Sequence, residues 1–434
     1  MSRAEKFAAW CDKAMAFSFY ALIYFLPISI ALTETFSGLA IFLYLLKRGT
    51  LFFYGLKTGS SNWSSFFTYF KPAVNYLNKP VAVFLIINFL TVITSQFPRA
   101  SIEGFVGKVL EGVFTYFAFI EVISTKKRVR TFLAIFVISL FLICIDGLCQ
   151  YFLGHDFIRG HIFDGRISSS FRAANDFAAY LVVTTPALFY LSLFSFLKER
   201  KEDDKPAYFS FLSSGKIRLI LFFLFVLSFT CLILTYSRGA WIAFILCLSV
   251  LGIRSRKVFL FSAFFVAIFL FSFYYQSARV VPSESNWRTY FEWENNRLKY
   301  WTRSISIIRD YPFLGSGLNT YSSIQWEYDK GWGGYPHNSY LQMAAETGAV
   351  GLSAFLWMII ILLKNSFKNL KQIKDPPLRF LLLSFLAGLA GFLIHSFFDT
   401  NFYSVQLGSF MWLIMGLIVA VQKIDKSALI SEPT

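Results

Sequence analysis

Charge is scarce in this chain: Asp, Glu, Lys and Arg together make up 15% of 434 residues. A soluble globular domain carries about a quarter, so that class is excluded. Histidine is scarcer still, with four in all. The five cysteines, Cys11, Cys144, Cys149, Cys231 and Cys247, show neither metal-ligand nor paired spacing, and no disulfide framework is implied. No A-x-A-like cleavage site follows the first apolar run, which predicts a retained helix rather than a removed signal peptide. Internal repeats and low-complexity linkers are missing too, and no soluble region is expected after the last span. One transmembrane domain over residues 1–434 is the simplest organisation.

What is abundant is apolar and aromatic, at 56% and 20% of the residues. Several runs reach the roughly 20 residues needed to cross a bilayer, with charges collected between them. This predicts an all-α polytopic integral membrane protein of about twelve transmembrane helices. They are placed near residues 14–33, 36–56, 80–97, 104–124, 131–153, 173–197, 217–236, 239–253, 257–275, 339–363, 380–398 and 405–421. Lys47 and Arg48 interrupt the second, and Lys108 and Glu111 make the fourth amphipathic. The formal net charge of +16 lies mostly in short loops, where orientation and contact with membrane lipids account for it, and nucleic-acid binding is excluded. Keeping the basic loops on one side places both termini in the cytoplasm. Two outer segments are then long, 154–172 and 276–338. In the second, Trp287, Phe291, Glu294, Leu298, Trp301, Ile305 and Ile308 recur at three- and four-residue steps, predicting an amphipathic helix at the membrane interface.

The stretch from Tyr311 to Gly351 holds the densest candidate chemistry. It opens on a turn with Pro312, Gly315 and Gly317, passes an aromatic loop, and enters an apolar helix after Pro336, His337 and Asn338. His337 sits where a loop meets a helix start that Asn338 or Ser339 can cap. Partial positive charge at a helix N-terminus keeps an imidazole neutral, and a neutral ring can accept a proton. His337 is therefore a candidate general base; an interfacial loop residue is the alternative. Asn338, Gln342 and Glu346 follow at four-residue steps on one face, either supporting a site or making satisfied interhelical contacts.

The outer segments are also rich in arginine: Arg166 and Arg172 in the shorter, Arg288, Arg297, Arg303 and Arg309 in the longer, and Arg238 in a tight turn between spans. Guanidinium forks match phosphate oxygens, and at Arg238 no charge is needed to set orientation. Headgroup contact and snorkelling account for Arg279, Arg288, Arg303 and Arg309. His155, Asp156, His161 and Asp164 are metal-ligand types without a standard spacing, and no metal site is expected. The pair Asp203 and Asp204 reads as solvated. Asp146, His395 and Asp399 lie in or beside spans and receive no role.

Together, GRISSSFRAANDFAAYL at 165–181, SRGAW at 237–241, NNRLKYW at 295–301, YPFLGSGLNTY at 311–321 and PHNSYLQMAAETGAVGL at 336–352 resemble the O-antigen ligase and polymerase superfamily of bacterial envelope glycosyltransferases. The resemblance implies a GT-C-like enzyme of the bacterial inner membrane, free of metal and cofactor, with its active site facing the periplasm. It implies a glycan donor on undecaprenyl diphosphate. For a ligase, the acceptor is a sugar hydroxyl of the lipid A core, and the anomeric carbon inverts. The histidine of the family's HN motif is the base, which assigns His337. Arg238 and Arg297 match the diphosphate-binding arginines, with Arg166 or Arg172 assisting. Before Asn175 the family more often has Pro, and this chain has Ala174. Tyr321, Trp326, Tyr328, Trp332 and Tyr335 could stack on sugar rings or form an interfacial belt.

Ligation leads over polymerisation, because no outer arginine is followed by glycine at the spacing polymerases often carry. It leads over a protein O-oligosaccharyltransferase, because those commonly add a soluble C-terminal region. A lipid-linked glycan transporter is the alternative of another class; repeat halves and charges near the bilayer midplane would mark it.

Overall fold

A computed structural model describes residues 2–197, 215–252, 264–272, 274, 284–330, 333–373 and 375–430. Every long element in it is a helix, the form that satisfies backbone polar groups within one segment when water is excluded. Six helices, Ile30–Lys57, Lys126–Leu153, Gly215–Leu234, Ser339–Leu370, Pro376–His395 and Val405–Ile424, are long and apolar enough to cross a membrane. Asn78–Ile93 is a shorter apolar helix. The expected span at 257–275 is helical over 264–272 and otherwise lies mainly outside the described residues. Asp203, Asp204, Arg279 and Trp332, and the side chains of Trp287, Arg288, Phe291 and Glu294, also lie outside them.

Helix α1 (Arg3–Phe25) begins at a capping box in which Ser2 and Glu5 bond each other's backbone N–H groups. It packs along α2 (Ile30–Lys57). Lys47 and Arg48 do not break α2. Lys47 Nζ donates to Asp12 at 2.7 Å and Glu121 at 2.8 Å. Arg48 pairs with Glu121, donates to the carbonyls of Tyr69 and Lys71, and stands over the Tyr44 ring. A charge inside an apolar helix is tolerable when it is paired and bonded in this way.

Beyond a short α3 (Phe66–Phe70) and α4 (Asn78–Ile93), the amphipathic fourth span has a local cause. It consists of α5 (Pro98–Gly104), a π-helical stretch at Phe105–Leu110, and α6 (Glu111–Val122). The widened turn carries Lys108, whose Nζ donates to Asn319 Oδ1 at 2.7 Å.

The remaining helices are α7 (Lys126–Leu153), α8 (Ala174–Leu197), α9 (Gly215–Leu234), α10 (Arg238–Gly252), α11 (Glu284–Asp310), α12 (Tyr321–Tyr328), α13 (Ser339–Leu370), α14 (Pro376–His395) and α15 (Val405–Ile430). α8 packs on α9 and α14, α15 on α6 and α14, and α13 on α4. The approach of α14 to α8 needs small residues: a Cβ at Gly388 would fall 2.5 Å from the Val183 carbonyl oxygen. Small residues let helices come together where lipid offers no hydrophobic drive.

Polar bonds gather at the two ends of the bundle. At one end Gln406 donates to the Leu26 carbonyl, Ser170 to Pro27 and Arg159 to Ile28, tying the α1–α2 turn to the segment 154–172 and the start of α15. At the other, Lys126 pairs with Asp375 at 2.6 Å, and the Lys47 and Arg48 cluster lies near the end of α6. Helix α11 turns Ser304 and Ile307 inward and leaves Leu298 and Ile305 exposed.

Candidate functional site

The site is built where α13 begins. Asn338 caps that helix, its Oδ1 accepting from the backbone N–H groups of Tyr340 and Leu341, both at 3.0 Å. Next to it, Ser339 binds the loop that follows α14. Its N–H donates to the carbonyls of Ser396 at 2.8 Å and Asp399 at 3.1 Å, and its hydroxyl donates to the Asp399 carbonyl at 2.8 Å. These bonds fix the Asp399 side chain beside His337, with Oδ1 3.1 Å from Nδ1. His337 itself has φ 47°, a left-handed backbone that a non-glycine residue seldom adopts. Pro336 before it is held by Trp301, whose Nε1 donates to the Pro336 carbonyl at 2.9 Å.

With Nδ1 donating to Asp399, Nε2 is the nitrogen left to accept a proton, and the His337 side chain stays 39% exposed. Burial alone would raise the Asp399 pKa. The hydrogen bond and charge of His337, the nearby His395 and the Thr400 N–H hold it down at about 2. The carboxylate thus remains an anion that orients the imidazole and stabilises any positive charge it takes up. Asp399, which the sequence left without a role, is the partner of His337. Its only sequence signal was a carboxylate beside a span.

Three arginines from separate segments stand near this pair. Arg166, in the loop before α8, donates through Nε to the Thr235 carbonyl at 2.7 Å and through a terminal nitrogen to Asn175 Oδ1 at 2.6 Å. Burial lowers its pKa; Asp164 and Asp399 act against that, and the like charges of Arg238 and Arg297 act with it. Guanidiniums brought together in this way favour an anion among them. Arg238 opens α10 and is exposed. Its turn sits on the Asp399 loop, because a Cβ at the next residue, Gly239, would fall 2.6 Å from Phe398 Cβ. Arg297 is half-buried on α11. Asn175 therefore meets Arg166 rather than standing apart from it. Arg172 is exposed and acts on Asp176.

Gln342 and Glu346 belong to a different structure. Glu346 is 1% exposed and accepts from the N–H groups of Asn319 at 2.7 Å and Tyr321 at 3.2 Å, and from Gln342 Nε2 at 3.1 Å. Two residues later α13 breaks at Gly348, φ 66°. The Pro- and Gly-rich turn fills the break: Ser316 and Gly317 donate to the carbonyls of Ala345 and Glu346, and Ala349 and Val350 donate to those of Pro312 and Phe313. A side chain at Gly315 or Gly348 would collide with the opposite backbone, so the glycines of both motifs serve one joint.

The shorter loop is pinned by backbone bonding. Asp146 accepts from the N–H groups of Phe157 and Ile158 and from the Ser169 hydroxyl. Asp156 accepts from the N–H groups of Arg159, Gly160 and His161. Among the described residues no group of His, Cys, Asp and Glu is arranged to hold a metal ion. Arg303, expected at lipid headgroups, is instead 5% exposed and bonded to Gln325 and Asp329.

A family model described as O-antigen ligase matches residues 223–356, which include Arg238, Arg297, His337 and Glu346 and end before Asp399. The match supports kinship with the O-antigen ligase superfamily. No curated protein matches the chain.

Proposed function

We propose that this relative of the O-antigen ligases is a membrane glycosyltransferase that moves a glycan from undecaprenyl diphosphate to a sugar hydroxyl of the lipid A core. The observation that carries the proposal is the meeting of a histidine–carboxylate pair with arginines from three segments at one end of the bundle. His337 Nε2 takes the acceptor proton as the hydroxyl oxygen attacks the anomeric carbon, and Asp399 stabilises the resulting imidazolium. The bond to the diphosphate oxygen breaks and its electron pair leaves with the diphosphate. Arg238 and Arg297 neutralise that charge, Arg166 is held alongside by Asn175, and Arg172 assists from the exposed rim. Attack opposite the leaving group inverts the carbon, and no step asks for a divalent ion.

In this proposal about twelve spans cross the inner membrane, the arginine-bearing end faces the periplasm, and both termini are cytoplasmic. The basic clusters at the opposite end support that orientation. The test is transfer by the purified protein in EDTA from an undecaprenyl diphosphate glycan, with and without lipid A core, products being resolved by size. A single shift of the acceptor is expected. Growth of the lipid-linked glycan without acceptor would replace ligation by polymerisation. Movement of unaltered lipid-linked glycan across vesicles, undisturbed by His337→Ala, would replace both by transport.

A further inference from the structure

Next to His337 lies an aromatic surface that the proton transfer does not use. We propose that Tyr300, Trp326 and Tyr335 form a subsite for a sugar ring of the substrate glycan, an assignment that rests on the glycosyl-transfer proposal for the same site. Tyr335 precedes His337 by two residues, and the Tyr300 ring centroid is 6.3 Å from that of His337. Trp326 and Tyr335 are 48% and 46% exposed.

Exposed rings are ordinarily loose, and these are not. Tyr335 stacks on Tyr321 with centroids 6.2 Å apart and planes at 24°. Tyr321 is buried, and its hydroxyl lies 2.8 Å from that of Ser304. The loop before Tyr335 fits closely: a Cβ at Gly333 would fall 2.8 Å from the Trp326 ring, and one at Gly334 would fall 2.7 Å from Tyr300. Beneath it the buried Arg303 donates to Gln325 Oε1 at 2.9 Å, and the Gly334 N–H donates to the same oxygen at 3.0 Å. Its guanidinium also reaches Asp329 at 2.7 Å and stands 5.4 Å from the Tyr300 centroid.

A buried cation thus organises the loop from below, so ligand binding does not have to order it. The C–H face of a pyranose is apolar and weakly positive, complementary to the negative face of an aromatic ring. Stacking there keeps the sugar's hydroxyls at the ring edge, within the neighbourhood of the base. An interfacial aromatic belt anchors by partitioning alone and calls for no such scaffold.

The test uses the full-length purified protein and the delipidated, water-soluble core oligosaccharide as probe, with binding followed by calorimetry and transfer by KM for each substrate. If the ring belongs to the acceptor, Tyr335→Ala and Trp326→Ala weaken oligosaccharide binding and raise acceptor KM by about tenfold, with donor KM unchanged. If it belongs to the donor glycan, the rise falls on donor KM alone. In either case Tyr335→Phe, which keeps the ring, recovers most of what Tyr335→Ala loses, and an unchanged unfolding midpoint shows that the fold is intact. Unchanged binding and unchanged KM for both substrates in the alanine variants would overturn the subsite. His337→Ala separates the two proposals: turnover without the histidine sinks the base assignment, while its oligosaccharide binding still reports on the rings.

Discussion

Two polar places at the start of α13, less than three turns apart, are bonded in opposite ways. At the helix entrance His337 has a carboxylate on one ring nitrogen and remains 39% exposed. Deeper in, Glu346 is 1% exposed and its oxygens are taken up by two backbone N–H groups and an amide, with Lys108 acting on it from α5–α6. Residue type does not separate them, since both are ionisable groups in or beside an apolar helix. Saturation does. A group whose bonding capacity is spent on the protein holds the protein together, and one with capacity in reserve can work on a substrate.

The sharpest way to break this contrast is to remove each group in turn. His337→Ala is expected to lower transfer by about 10²–10⁴-fold with little change in thermal unfolding, measured by kcat and by the unfolding midpoint on the same preparation. A variant that unfolded early while retaining its turnover would reverse the two roles. Glu346→Ala is expected to do the converse, costing about 3 kcal/mol of stability, because the N–H groups of Asn319 and Tyr321 lose their acceptor and Lys108 loses the negative charge near it. Denaturation of the detergent-solubilised protein checks it.

Asp399 refines the comparison, because it is both bonded and part of the site. Its pKa in the fold, about 2, lies below the ordinary aspartate value near 3.9. Its stabilisation is therefore complete above that ordinary value and is lost as pH falls through about 2. Asp399→Asn should make the unfolding midpoint less sensitive to pH across the acid range than in the wild type, and an identical acid profile would count against the His337 pairing. The smallest effect is expected from Arg172→Ala, within about twofold on donor KM, since this side chain is exposed and acts on Asp176.

Much of this was legible beforehand for identifiable reasons. Helix placement follows from apolar runs, and His337 and Arg238 stood out because a polar group in those positions needs a cause. Lys47 and Arg48 misled, because their carboxylate partners, Asp12 and Glu121, lie on other helices. Arg303 misled in the same way: Gln325 and Asp329 sit across a turn from it. Trp287 through Ile308 announced an amphipathic helix, and Leu298 and Ile305 are exposed on it, as residues of a lipid-facing side would be.

From the sequence alone came the helical membrane class and the choice of His337 and Arg238 as candidates, because composition and local spacing carry that much; Arg297, Arg166 and Arg172 became candidates through the family resemblance. Asp399 as the partner of His337 was decided only by tertiary structure. The 62-residue separation is closed by Ser339 bonding to the loop after α14, a contact with no period and no local signature. The joint at Gly315 and Gly348 is of the same kind: each glycine is required by a backbone that the chain reaches only after folding back on itself.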